Sequence, residues 1–237
     1  MIEVLAMALF PMAAEAWIDY FSQTIYLEES QNLLTQQRIL WGGEVSTLRP
    51  YLGLALEKDS KTNSSAAFID SQLTPLVGVQ SELFFYPKFP LRFFSEVKRL
   101  YRLGDFPDQR KDEDWDLRFG GLGSGEYDFK EFFLSHYFSL YFTHLYSDRF
   151  IAEGWSRQGK KLDEVLSVFH ELHWDSYDLE YDRDVSVDSR PGVKGVWHPF
   201  DPAITLEALG QYVYRWTNYK GSDRDEWRAT LVFALYR

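Results

Sequence analysis

Histidine, serine and acidic side chains are the first places to look for chemistry in this 237-residue chain. "HELH" at 170–173 is close to a zinc-protease signature, but His173 falls one residue short of the His-x-x-x-His spacing that puts two imidazoles on one helix face. On a strand, an odd separation sends His170 and His173 to opposite faces. His136 and His144 share a parity but lie too far apart along a strand to hold one ion. Ser135 and Ser139 flank His136 with the opposite parity, which disfavours the nucleophile–base contact of a membrane hydrolase. "GGLGSG" at 120–125 has phosphate-loop glycine spacing without the Lys-Ser/Thr or a following helix. Those glycines are expected to relieve crowding at the end of a curved strand and then to form a turn. Asp175, Asp178, Asp182 and Asp184 make an acidic patch, read as a solvated loop with a surface Ca²⁺ site as the alternative. No catalytic residue, metal or cofactor is assigned.

A second set of polar residues is more regular. Glu57, Glu82, Glu96, Lys98, Asp116, Arg118, Glu207, Gln211, Arg215 and Arg228 each fall on one parity of an alternating run whose other parity is apolar. In "LRFFSEVKRL", Glu96 and Lys98 oppose Phe93, Val97 and Tyr101 just beyond; in "WDLRFGGL", Asp116 and Arg118 oppose Trp115, Leu117 and Phe119. Antiparallel partners share a face. A turn centred on Pro107 sets Lys98 opposite Asp116, Glu96 opposite Arg118 and Val97 opposite Leu117. Arg99 then faces outward, where a charge is tolerable only near a membrane rim.

The elements that must position these residues are runs of roughly 9 to 14 residues with period-2 alternation, cut by turn clusters. About twelve strands result (10–14), with a long polar loop expected through "DRDVSVDSRPG". In "AITLEALGQYVYRW" one face is aliphatic at one end and aromatic at the other, ending in Tyr212, Tyr214 and Trp216; the other face carries Glu207, Gln211 and Arg215. The terminal "EWRATLVFALYR" has an apolar parity of Trp227, Ala229, Leu231, Phe233 and Leu235. An aliphatic-to-aromatic gradient fits a strand that crosses hydrocarbon and ends at an interfacial girdle. The fold class expected is all-β, a closed antiparallel transmembrane barrel in the bacterial outer membrane, with the ten polar residues toward the lumen and Trp115, Tyr212, Tyr214, Trp216, Trp227 and Phe233 toward lipid. A soluble sandwich or barrel is the alternative.

Composition narrows the rest. A net charge of −11 and a pI near 4.9 argue against nucleic acid. Aromatics reach 18%, more than a core of this size needs, and there is no cysteine, which excludes thiol chemistry and disulfides. The run Val4 to Ala14, with Ala14-Glu15-Ala16 behind it, reads as a signal peptide over residues 1–16 with a truncated or misassigned start, since Glu3 stands where a positive residue belongs. A short buried helix broken at Pro11 is the alternative. The barrel would occupy 17–237.

Several segments resemble, in order, the C-terminal barrel domain of NfrA-type phage-adsorption and exopolysaccharide-secretion proteins: "YPKFPLRFFSEVKRLYRLGD", "EDWDLRFGG", "HYFSLYFTHLYSDRFIAEGWSRQG", "LEALGQYVYRW" and the terminal run. The resemblance implies an outer-membrane barrel that passes or guides a polysaccharide, used by phage as a receptor. It also implies coupling to a periplasmic scaffold, which would here be a separate partner. It transfers no catalytic residue. Two other functions stay open: a non-conducting barrel that docks a partner complex, and a membrane-embedded hydrolase.

Overall fold

The computed structural model describes residues 16–28, 31–60, 71–86, 89–103, 115–144, 149–178, 183–199, 201–217 and 225–236. The side chains at 83–86, 89, 149, 177–178, 183–185 and 216–217 lie outside that description. The signal-peptide segment 1–15, the turn about Pro107, the ring of Trp216 and most of the acidic patch therefore fall beyond it.

Thirteen strands follow one another among the described residues: β1 (Ala16–Leu27), β2 (Asn32–Gly43), β3 (Leu48–Asp59), β4 (Gln72–Tyr86), β5 (Phe89–Arg99), β6 (Tyr101–Arg102), β7 (Trp115–Phe129), β8 (Phe132–Thr143), β9 (Arg149–Lys161), β10 (Leu166–Asp178), β11 (Arg183–Trp197), β12 (Ile204–Thr217) and β13 (Glu226–Tyr236). The two residues of β6 carry the line of β5 past Leu100, pairing with β4 through Gln72↔Arg102 and Leu73↔Tyr101. The wall is therefore twelve staves, all antiparallel, in the order β3-β2-β1-β13-β12-β11-β10-β9-β8-β7-β5-β4, and β3 pairs with β4 to close it. No helix occurs among the described residues. Closure leaves no unpaired edge, the condition for a sheet to cross lipid.

Connections at one end are short: 44–47, 87–88, 130–131, 162–165 and 198–203. The other end carries 60–71, 103–114 and 218–225 as well as shorter links. Barrels of this kind keep short turns in the periplasm and longer loops outside, which orients the molecule. In the two-residue turn after β7, Lys130 holds φ at 58°, the left-handed geometry that a tight hairpin demands.

Two sequence expectations change. The stretch read as a long polar loop is the strand β11. Its polar residues look loop-like only until parity is considered: Asp188 and Arg190 point inward to Glu171 and Arg215, and Val187 and Val193 point outward. Pro191 has no N–H, and the β11–β12 ladder skips from Ser189↔Tyr214 to Gly192↔Gln211 around it. The "GGLGSG" glycines are not a turn either, because β7 continues through them to Phe129. Gly120 lies under Tyr141; a Cβ there would run into Leu140 O and Tyr141 Cα.

The two faces of the wall are opposite in character. The outward parity is apolar and exposed: Trp41, Leu54, Trp115, Leu117, Phe119, Leu140, Trp174, Tyr214 and Leu231 among others. The inward parity holds buried charge, including Asp116 (0% exposed), Glu171 (3%) and Glu226 (5%). A water-soluble barrel would show the reverse.

Candidate functional site: the lumen

The register of β5 on β7 sets Lys98 opposite Asp116, Glu96 opposite Arg118 and Val97 opposite Leu117, the pairing expected from parity about Pro107. The close ion contacts, however, run along the strands. Lys98 Nζ lies 2.8 Å from Glu96 Oε1, and Arg118 Nε donates to Asp116 Oδ2. Residues i and i+2 share a face, and long cations bend back onto the nearer acid. The result is a square of alternating charge. Thr143 Oγ1 adds a hydrogen bond to Asp116 Oδ1 (2.8 Å), and Tyr51 Oη one to Glu96 Oε2 (3.1 Å). Arg99, at the end of the β5–β7 ladder, faces outward with its guanidinium over the rings of Tyr101 and Trp115, at 5.1 and 5.2 Å.

The other inward candidates are also engaged. Glu57 accepts from Gln72 Nε2 at 2.5 Å and Gln36 Nε2 at 3.4 Å. Glu82 pairs with Arg92 at 2.6 Å. Arg215 and Arg228 both reach Glu226 Oε1, at 3.0 and 2.6 Å. Gln211 is buried beside Arg228 across the β12–β13 ladder. On the outside, Tyr212 and Trp227 meet edge to face at 5.1 Å, and Phe233 meets Tyr20 the same way at 5.7 Å.

Of the densest network, the sequence points only to Glu207. Glu171 of β10 accepts from Arg157 of β9 at 2.7 Å and from Arg190 of β11 at 3.2 Å. Arg190 also holds Asp188 at 2.6 Å, and Arg157 reaches Glu207 of β12 at 3.4 Å. Asp188 and Arg190 lie in the stretch whose composition suggests a loop, and Glu171 lies within "HELH". Parity along "AEGWSRQG" carried the one available signal for Arg157, since it faces Glu171 in the register.

This network borders an interior cavity of about 380 Å³ that Gln23 and Gln36 line from β1 and β2, and Tyr137, Trp155 and His173 from the far side. β2 and β9 stand six staves apart in the ring of twelve, so the cavity spans the lumen. The Tyr137 and Trp155 rings stack at 6.3 Å with 25° between planes. Toward the short-turn end the inner wall carries two apolar clusters, Trp17–Leu40–Tyr51–Leu76 and Phe133–Phe169–Leu209 with Val232. Not all large rings face lipid, then; a barrel of this girth fills part of its own interior. Beyond Phe133 a vestibule of about 970 Å³ opens among the short turns, with Lys194 and Glu207 in its wall.

His170 and His173 take opposite faces. His170 lies 2.8 Å from Ser189 Oγ outside, and His173 points inward to Asp175 at 3.9 Å. His136 stacks on Tyr127 outside, while Ser135 and Ser139 are buried within. No group of three metal-ligating side chains assembles among the described residues.

No protein-family model matches the sequence, and no curated protein does. Among solved structures, the chain is similar to a KdgM porin at 8% identity, covering 92% of this chain and 98% of that one with a TM-score of 0.47. It is similar to the β-domain of the Bordetella autotransporter BrkA at 12% identity, 94% and 99% coverage and a TM-score of 0.48. An outer membrane channel from Pseudomonas putida F1 gives 12% identity, 95% and 98% coverage and 0.47. The likeness is one of barrel architecture alone. A closed wall, apolar outside and charged within, belongs in a bilayer. This is a β-barrel of the bacterial outer membrane.

Proposed function

We propose that the barrel passes or guides a polysaccharide through the outer membrane as part of a secretion machine. The observation that carries this reading is the composition of the lumen cavity. The stacked Tyr137–Trp155 pair offers an aromatic platform, and Gln23, Gln36, Glu171 and Arg190 ring it with donors and acceptors for hydroxyls. Sugar rings are bound by that combination: apolar C–H faces stack on aromatic rings, and hydroxyls take amide and carboxylate partners. The vestibule at the short-turn end supplies an entry from the periplasm, where a separate scaffold protein would deliver the chain. The charge ladders on the wall keep the path wet without fixing a ligand.

The test is conductance in planar bilayers with oligosaccharides added. Ion current that soluble oligosaccharides block in the wild type, with weaker block in Trp155→Ala, supports the reading; current indifferent to sugars removes it.

A second reading has its own observation. Two apolar clusters fill part of the inner wall, which suits a non-conducting barrel that docks a partner complex. Absence of current from a correctly folded barrel would favour it.

A further inference from the structure

The outer wall carries a groove of about 560 Å³ at its periplasmic end. Register explains its shape. β9 is the floor, with Gln158 and Lys160 outward; β8 is one bank, with Phe132 opposite Lys160 and Leu134 opposite Gln158; β10 is the other, with Val168 opposite Lys160 and His170 opposite Gln158. His170 hydrogen-bonds Ser189 on β11, which draws its imidazole away from β9 and keeps the groove open. Phe132, Leu134 and Val168 make the banks apolar apart from that imidazole. At the mouth, beside the Lys130–Glu131 turn, Lys160 Nζ stands 3.3 Å from Glu131 Oε2, with both side chains well exposed, and 6.0 Å from the centre of the Phe132 ring.

We propose that this groove holds one phospholipid of the periplasmic leaflet, its zwitterionic phosphoethanolamine head placed between Lys160 and Glu131 and one acyl chain laid along β9. The argument is complementarity of shape and charge. The groove lies on the face that meets lipid. Its charged end is at the short-turn end, at headgroup depth. The pair at its mouth presents one cation and one anion side by side, and a phosphate with a tethered ammonium satisfies both. Gln158 reaches the ester carbonyls from the floor. A purely anionic head would meet Lys160 but be repelled by Glu131.

Native mass spectrometry of the folded barrel in detergent micelles doped with phosphatidylethanolamine or phosphatidylglycerol tests this. The expected result is one retained phosphatidylethanolamine, with phosphatidylglycerol retained less. Lys160→Ala should lower occupancy about tenfold, the loss of one hydrogen bond to a charged group. Val168→Trp, which fills the groove, should abolish retention. Heat-dependent electrophoretic mobility checks that each variant is folded; if Val168→Trp is not, the lipid comparison and Lys160→Ala decide. Equal retention of both lipids, retention unchanged in the variants, or a two-chain species that Val168→Trp dissociates, would overturn the proposal.

Discussion

Arg157 on β9 and Glu207 on β12 meet at 3.4 Å although two strands lie between them in the wall. The bridge therefore cuts a corner of the lumen, and the same guanidinium is held by Glu171. Arg157→Ala should enlarge the opening and raise single-channel conductance, with a shift toward cations because Glu207 is freed. Glu171 keeps Arg190, so the cost in stability should be about 1–3 kcal/mol and not the full penalty of an orphaned buried charge. Unchanged conductance and selectivity would remove Arg157 from the conduction path.

Asp116 is the most buried of the lumen acids and faces Arg118, Thr143 and Lys98 together. Asp116→Ala should destabilise the barrel by about 3–5 kcal/mol, because Arg118 loses its buried ion partner and Thr143 its acceptor. Urea unfolding from lipid vesicles measures this. The double variant Asp116→Ala/Arg118→Ala should recover part of the loss, and failure to do so would mean the pair is not coupled.

The outward apolar face makes a depth-dependent prediction. Leu231, mid-strand in β13 and 58% exposed, should cost about 2–4 kcal/mol when replaced by Arg, whereas Leu166→Arg at the start of β10 should cost about 0–1 kcal/mol. Equal costs in vesicles would mean that Leu231 does not sit in hydrocarbon.

Gly120 is expected to tolerate no side chain. A methyl group there meets the backbone of β8, and Gly120→Ala should cost about 1–3 kcal/mol through overpacking. Gly121→Ala, whose methyl would rest 3.4 Å from the Phe93 ring, is the control and should be milder in the same unfolding assay.

In the β9–β10 turn, Asp163 accepts the backbone N–H groups of Val165 and Leu166, both at 2.7 Å, which holds its carboxyl below the ordinary aspartate value. A depressed folded pKa means that the turn is favoured above the unfolded pKa and loses that support as pH falls through the folded one. The Val165 and Leu166 amide resonances should titrate together over that acidic window. In Asp163→Asn they should be flat; a titration that persists there would assign it to another group.

Much of the fold was legible because a barrel writes itself in parity. The Glu96–Lys98 and Asp116–Arg118 strands can be set in register from the sequence, since one face of each is apolar and a slip of one residue would turn both inside out. β11 was hidden by composition: Ser, Asp, Pro and Gly suggest a loop when counted, yet their alternate positions face either Glu171 or the bilayer. The lumen network was less legible for a different reason. Parity states which side a residue faces but not how far its side chain reaches, and Arg157–Glu207 depends on reach across the curvature of the wall. The same limit hid the i, i+2 ion contacts of Lys98 and Arg118.

Every stave pairs with its neighbour in sequence save one junction. β1 and β13 run from Asp19↔Tyr236 to Leu27↔Arg228, bringing together residues more than two hundred positions apart. All other ladders can zip locally as hairpins form, but this seam must wait until the rest of the sheet has curled round, at the highest loop-closure entropy in the molecule. It is accordingly expected to be the last joint to form as the wall closes on itself.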